Sequence, residues 1–114
     1  ILNLFWFVGL SDNNSIIAIA ETEPVTTSGD AADDPAIVIN YSNPKQSIIL
    51  GTDKRAGVYS YDLSGKKISY AALGEINNID VRQVDNKIYV VASNRTAQSI
   101  EFWEFNQQEF FNNL

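Results

Sequence analysis

The chain has 114 residues and a net charge of −6, with 45% hydrophobic and 11% aromatic residues, which is typical of one small globular domain or of part of a larger one. It contains neither Cys nor His, so disulfides, thiolate and imidazole sites, Ser-His-Asp triads and the commonest zinc sites are excluded. Any chemistry must rely on carboxylates, amides, hydroxyls, Lys and Arg, which makes a hard metal ion the most economical catalyst.

Charge is distributed unevenly along the chain. Residues 1–44 hold six acids and no base, residues 45–95 hold all eight bases against five acids, and residues 96–114 hold three acids and no base. An acidic cluster followed by a basic stretch can serve a metal ion and an anionic ligand together. The sequence has no sustained basic stripe with stacking aromatic residues, so we predict no nucleic-acid partner.

The first twenty residues leave two interpretations open. The apolar run of residues 1–10 is shorter than the about 20 residues that span a bilayer, so no stable membrane association is predicted. Because the sequence contains no Met, we expect the chain to be processed or incomplete. Residues 1–20 are either the remainder of a signal peptide, cleaved after Ala18-Ile19-Ala20, or they contain a first strand at residues 15–20.

An acidic stretch, residues 30–37, precedes the first clear apolar segment. Asp30, Asp33 and Asp34 fall within five residues, and crowded carboxylates repel one another unless a cation or hydrogen-bond donors offset their charge. One interpretation is a hard-cation site, because calcium prefers oxygens from carboxylates and backbone carbonyls. The other is an ordinary polar turn at Gly29-Asp30 and Asp34-Pro35.

Apolar and β-branched residues then recur in short runs separated by Gly, Pro, Asn, Asp and Ser, without a competing helical period. This pattern predicts an all-β fold. Residues 36–40 show little polar alternation, which predicts a strand buried on both faces, and Ser64-Gly65 is typical of a hairpin turn. The predicted strands are residues 36–40, 47–51, 58–63, 66–72, 78–82, 88–93 and 99–105.

These strands recur at the spacing of propeller blades, each of which is an antiparallel four-stranded sheet. The first four strands would form about one blade, and the last three would form most of another. Two blades do not close a ring and would leave sheet edges exposed. We therefore predict a partial β-propeller, with the chain a fragment of a larger ring.

Five segments, taken in order, resemble the β-propeller phytases, which are calcium-dependent secreted enzymes that remove phosphate from inositol hexakisphosphate (phytate). The resemblance runs from about residue 21 to about residue 105. It implies that residues 21–114 are the incomplete N-terminal part of a six-bladed domain. The segments are Glu21-Thr22-Glu23-Pro24-Val25, Asp30-Ala31-Ala32-Asp33-Asp34-Pro35-Ala36-Ile37, Gly51-Thr52-Asp53-Lys54-Arg55, Asn77-Asn78-Ile79-Asp80-Val81-Arg82 and Ala92-Ser93-Asn94-Arg95.

The resemblance implies a joint calcium and phosphate site. Asp33 and Asp34 are the implied catalytic residues, since calcium held there would position and acidify an attacking water. Lys54, Arg55 and Arg95 are implied to bind substrate phosphate. The implied calcium ligands are Glu21, Asp30, Asp33, Asp34, Asn78 and Asp80.

Some positions depart from the family pattern or have an ordinary alternative. Val38 stands where the family has Trp, and Arg55 replaces the second Lys of a basic pair. From pattern alone, Lys54 and Arg55 also fit a solvated loop. Arg95 also fits a turn cap or a pair with a neighbouring acid, and Asn78 is a favoured turn residue without any metal.

The activity that the resemblance implies is 3-phytase-type hydrolysis of phytate phosphomonoesters by a metal-activated water. The protein would be secreted or periplasmic, and monomeric at full length. The chain alone is expected to be inactive, because further acids and phosphate-binding residues of later blades are missing. The alternative is a non-catalytic β-propeller binding module that keeps a structural calcium site.

Overall fold

The computed structural model describes residues 16–114, and their architecture is two antiparallel β-sheets. The first sheet has four strands in the order β1-β2-β3-β4, and the second has three in the order β5-β6-β7. Within residues 16–114 the sheets do not close into a ring. The elements are β1 (Ala32–Val38), β2 (Ile48–Asp53), β3 (Gly57–Tyr61), β4 (Lys67–Ala72), β5 (Ile76–Val84), β6 (Lys87–Asn94), β7 (Ser99–Asn106) and α1 (Gln107–Asn112), with a 3-10 turn at Pro44–Gln46.

The predicted all-β class and the grouping into four and three strands are confirmed. Each strand pairs with its sequence neighbour, as the short turns between them require. The strand bounds differ most at β1, which begins four residues before the predicted start. The prediction that this strand is buried on both faces is wrong, because Ile37 is 56% exposed and Ile39, just after β1, is 40% exposed.

The core lies where the inner strands of the two sheets meet. Apolar side chains on alternate positions of a strand face the same side. Here the apolar sides of the two sheets pack against each other. β1 and β5 run in the same direction, since Asp34 contacts Ile79, and Ile39, just after β1, contacts Gln83 further along β5. The buried cluster comprises Val38, Ile48, Leu50, Ile76, Ile79, Ile88, Val90 and Ala92.

Residues 16–25 contain no helix or strand. Of the two interpretations of residues 1–20, the part that concerns residues 1–15 lies outside the described residues, so the signal-peptide assignment stays a prediction. No helix among the described residues is long and apolar enough to cross a membrane.

The hairpin between β3 and β4 is held by its own side chains and by the segment that precedes β1. Asp62 Oδ1 accepts hydrogen bonds from the backbone N–H of Ser64 at 2.8 Å and of Lys66 at 3.0 Å. Gly65 has a φ of 89°, which a glycine adopts without strain. The carbonyl of Gly65 accepts the N–H of Glu23 at 2.8 Å, so the hairpin anchors the start of the crossing segment, residues 21–31.

Replacing Gly65 by alanine is expected to detach the start of the crossing segment. A Cβ at this position would lie 2.0 Å from the carbonyl oxygen of Glu21, and the left-handed φ adds strain of about 1–3 kcal/mol. We expect the backbone amide of Glu23 to lose its protection in hydrogen exchange. Ser64→Ala, which keeps the turn backbone, is the control, and equal exchange of Glu23 in both variants would contradict the prediction.

Candidate functional site

The acidic stretch lies partly inside a strand. β1 begins at Ala32, so Asp33 and Asp34 are strand residues and Asp34-Pro35 is not a turn. The pairing with β2 shifts register between Ala32 and Pro35, a bulge that re-aims the side chains between them. Asp30 precedes the strand and follows Gly29, whose φ is 78°. Only the Gly29-Asp30 half of the predicted polar turn is therefore present.

The basic turn, residues 54–56, lies at the same end of the first sheet. It joins β2 to β3, and antiparallel pairing of β1 with β2 brings the end of β2 next to the start of β1. Lys54 Nζ lies 2.8 Å from Asp30 Oδ2 and 3.6 Å from Asp33 Oδ1. Two of the predicted calcium ligands thus converge on one cation, the ammonium of a predicted phosphate-binding residue.

The ion pair between Lys54 and Asp30 shifts both titrations. The hydrogen bond and the charge of Lys54 lower the pKa of Asp30 below its ordinary 3.8, and the hydrogen bond to Asp30 raises the pKa of Lys54 above its ordinary 10.5. The stabilisation that the Asp30 carboxylate contributes is complete above the ordinary carboxyl pKa. It is lost as the pH falls through the lowered pKa of Asp30. The stabilisation that the Lys54 ammonium contributes is complete below the ordinary lysine pKa. It is lost as the pH rises through the raised pKa of Lys54. The pair is therefore intact at neutral pH, although the Asp30 side chain is 85% exposed, so screening by water leaves the pair little stabilising effect.

Arg95, from the second sheet, contacts this same end of the first sheet. It opens the turn between β6 and β7, where its backbone N–H donates to the carbonyl of Glu75 at 2.9 Å. Its guanidinium Nη2 donates to the carbonyl of Lys54 at 3.1 Å. The structure thus brings together predicted phosphate-binding residues that are far apart in the sequence. Arg95 does not cap its own turn, where Asn94 Oδ1 instead accepts the N–H of Ala97 at 3.0 Å.

Arg55 is turned toward the crossing segment. Its Nη1 donates to the carbonyl of Ser28 at 3.3 Å. The crossing segment therefore contacts both side chains of the basic turn, through Asp30 on Lys54 and through Ser28 on Arg55.

Asp34 links the two sheets. Its Oδ2 accepts the backbone N–H of Ile79 at 2.9 Å, and its own N–H donates to Thr52 Oγ1 at 2.8 Å. The Thr52 hydroxyl in turn donates to the carbonyl of Asn77 at 3.0 Å. One carboxylate oxygen of Asp34 is thereby engaged by the neighbouring sheet, while Oδ1 makes no hydrogen bond among the described residues.

Asn78 and Asp80 are held within the second sheet. Asn78 donates its N–H to Ser93 Oγ at 3.0 Å, and its side-chain oxygen accepts from Asn77 Nδ2 at 3.0 Å. Asp80 forms an exposed ion pair with Arg82 at 2.8 Å. Neither side chain has a direct contact with Asp30 or Asp33 among the described residues.

Glu21 lies at the far end of the first sheet. Its backbone packs against Gly65, beyond the end of β3. The five residues of β3 separate this end from the one that carries the basic turn, a distance of about 17 Å. Glu23, to which no role was assigned, borders a cleft of about 180 Å³ that Asp33 and Asp34 also line. The Glu23 carboxylate accepts the N–H of Lys67 at 2.7 Å.

The described residues match a calcium site in donor chemistry but do not form a full ligand set. Carboxylate and amide oxygens are the donors that calcium prefers, and Asp30 and Asp33 already share one cation. However, no group of three or more acidic side chains that could hold a metal ion occurs among residues 16–114. Asp30 and Asp33, or the free oxygen of Asp34, could each supply a ligand from this side, and further oxygens would have to complete the shell of the ion.

Two residues at this end lie outside the predicted set of site residues. Asp53 has no exposed surface, and its Oδ1 accepts the N–H of Arg55 at 3.0 Å. Thr27 donates its hydroxyl to the other oxygen, Oδ2. An Asp two residues before an N–H is typical of an Asx turn, so the first contact has a local signal. The second crosses 26 residues of sequence and has none.

Comparison with known proteins identifies a family model and a curated relative. A family model described as "Phytase" matches residues 7–112. A 3-phytase of Bacillus subtilis (strain 168) is 38% identical over 76 residues, which are 67% of this chain and 20% of the relative. The matched part of the chain therefore spans about one fifth of the length of that curated relative.

Proposed function

The chain belongs to the phytase family, and from this premise we propose that it forms part of a calcium-dependent phosphomonoester hydrolase that acts on phytate, of the 3-phytase type. The observation that carries the proposal is the convergence of acids and bases at one end of the two sheets. Lys54 touches Asp30 and Asp33, and Arg95 touches the Lys54 carbonyl.

Each group at this end suits one requirement of phosphoryl transfer. The negative charge on the phosphoryl oxygens must be neutralised and the attacking water must be placed in line. Arg95 and Arg55 carry planar guanidinium groups that hold two phosphate oxygens at once, and Lys54 supplies a point charge. When bound, calcium would supply a Lewis acid that lowers the pKa of water. At this end of β1, Asp30, Asp33 and Asp34 would each offer oxygens to it, together with further ligands, since the three do not form a metal-holding group by themselves.

Asp34 orients both sheets in this arrangement. Its Oδ2 holds Ile79 of β5, so the free oxygen Oδ1 is fixed relative to the second sheet. A carboxylate that is already oriented by a backbone N–H loses less conformational freedom when it binds an ion. This supports two roles for Asp34, as a calcium ligand and as a residue that holds the two sheets in fixed relative positions.

Secretion or a periplasmic location and a monomeric full-length form belong to the same proposal. We further propose that these 114 residues turn phytate over slowly at best. The support is geometric, since no three acids converge on one point within residues 16–114.

A chimera tests the hydrolase function. The segment of the Bacillus subtilis 3-phytase that matches this chain is replaced by the segment of this chain, and phosphate release from phytate is measured. We expect release in calcium and none after chelation with EGTA. A chimera that folds and binds phytate but releases no phosphate under either condition would contradict the proposal.

A second candidate is a non-catalytic β-propeller binding module with a structural calcium site, because Asp34 and Thr52 already join the two sheets by hydrogen bonds that serve the scaffold alone. It predicts that calcium raises the melting temperature of the chimera without phosphate release. The hydrolase proposal predicts both effects.

A further inference from the structure

A carboxylate with no exposed surface lies beside the basic turn. Asp53 ends β2 and is 0% exposed. It takes part in none of the ion pairs among the described residues, which are Lys54 with Asp30 and Asp33, Arg82 with Asp80, and Lys87 with Glu104. A buried charge without a counter-charge is costly unless hydrogen bonds satisfy it. A buried Asp53 therefore requires hydrogen-bond donors at its carboxylate.

Both carboxylate oxygens of Asp53 accept hydrogen bonds, one from the basic turn and one from the crossing segment. Oδ1 accepts the backbone N–H of Arg55 at 3.0 Å, and the Asp53 carbonyl accepts the N–H of Ala56 at 3.0 Å. Oδ2 accepts the hydroxyl of Thr27 in the crossing segment. A carboxylate can accept at both oxygens, whereas the amide of an Asn would present a donor at one of them.

These contacts tie the crossing segment to the basic turn. Lys54 donates its backbone N–H to the carbonyl of Ala31 at 2.9 Å, and Arg55 Nη1 donates to the carbonyl of Ser28 at 3.3 Å. Asp53 is the buried charged side chain of this connection among the described residues, and Thr27 reaches it from the crossing segment. The direction in which Lys54 and Arg55 leave the turn thus depends on the pair of Asp53 and Thr27.

We propose that Asp53 and Thr27 are positioning residues that hold the backbone of the Lys54-Arg55 turn in the conformation that binds phosphate. The inference rests on the proposed function, in which the side chains of this turn contact substrate phosphate. Asp53 itself does not touch the substrate. It acts through the N–H of Arg55 and through the crossing segment.

A matched pair of threonine variants of the purified protein tests the proposal. Thr27→Val removes the hydroxyl that reaches Asp53, and Thr26→Val removes the neighbouring hydroxyl, which contacts Tyr59 Oη at 2.7 Å. We measure the dissociation constant of inositol hexakisphosphate by calorimetry and the hydrogen exchange of the Arg55 amide by NMR.

We expect Thr27→Val to weaken phytate binding about tenfold and to accelerate exchange of the Arg55 amide. Thr26→Val should change neither, and Thr27→Ser, which keeps the hydroxyl, should restore both. If Thr27→Val and Thr26→Val only lower the melting temperature alike and leave affinity and exchange unchanged, the positioning role is refuted.

The two proposals fail in different ways. If the wild-type protein binds neither phytate nor inorganic phosphate, the proposed function fails. Exchange of the Arg55 amide in the two threonine variants then still decides whether Thr27 and Asp53 hold the turn. If Lys54→Ala weakens phytate binding but Thr27→Val does not, the proposed function stands and the positioning role is overturned.

Discussion

Replacing Gly57 by alanine is expected to destabilise the protein by about 3 kcal/mol or more. Gly57 begins β3 with a φ of 152°, where L side chains are strained. A Cβ would lie 2.0 Å from the carbonyl oxygen of Ala71 and 2.9 Å from the N–H nitrogen of Leu73. Both atoms are backbone, so relief requires β3 and β4 to move apart at the end of the sheet that carries the basic turn. Urea denaturation measures the loss.

Gly51→Ala is the matched control in the same sheet. Gly51 has no positive φ, and its added Cβ would meet only the Tyr61 ring edge at 3.3 Å, a side chain that can shift slightly. We expect a loss below about 1 kcal/mol. Similar urea midpoints for the two variants would show that the strand pairing at Gly57 tolerates a side chain.

Replacing Lys54 by alanine is expected to change two affinities in opposite directions. The Lys54 ammonium contacts both Asp30 and Asp33, so it competes with any cation for these carboxylates. Its removal leaves two unpaired negative charges and should strengthen calcium binding. The loss of a charged phosphate contact should weaken phytate binding about 10- to 100-fold. Calorimetric titration with calcium chloride, and separately with phytate, measures both.

Lys87→Ala provides the control. Lys87 forms an exposed pair with Glu104 on the second sheet, and its removal should leave both affinities unchanged. Partial unfolding of the Lys54→Ala variant would weaken the binding of calcium and the binding of phytate together. Stronger calcium binding with weaker phytate binding therefore cannot result from a folding defect, and weaker calcium binding would contradict the competition.

Most of the fold follows from local sequence patterns. The strands β2 to β7 arise from β-branched runs that Gly, Asn, Asp and Ser interrupt, and short turns restrict each strand to pairing with its neighbour. The exposure of Ile37 could not be predicted in this way. A run without polar alternation is typical of a strand with two covered faces, and whether another element covers the second face depends on residues distant in sequence.

The site was predictable as a set of residues but not as an arrangement. The residue types allowed calcium and phosphate as ligands, because without His or Cys only oxygens and cationic groups remain. The structure separates Glu21 from Asp30 by placing it at the Gly65 hairpin. It also engages Asp34 with Ile79 of the second sheet, a contact that no spacing along the chain could indicate.

The amino-acid sequence by itself thus determined the all-β class, the pairing of adjacent strands and the hard-oxygen character of any metal site, because each depends on residue type or on short spacing. Only the tertiary structure decided which charges meet. Lys54 lies between Asp30 and Asp33, Arg95 reaches Lys54, and Asp53 is buried against Thr27. The physical reason is that strand register and sheet packing bring together residues between 21 and 41 positions apart in the sequence. Hydrogen bonds, which depend on direction, then select the partners.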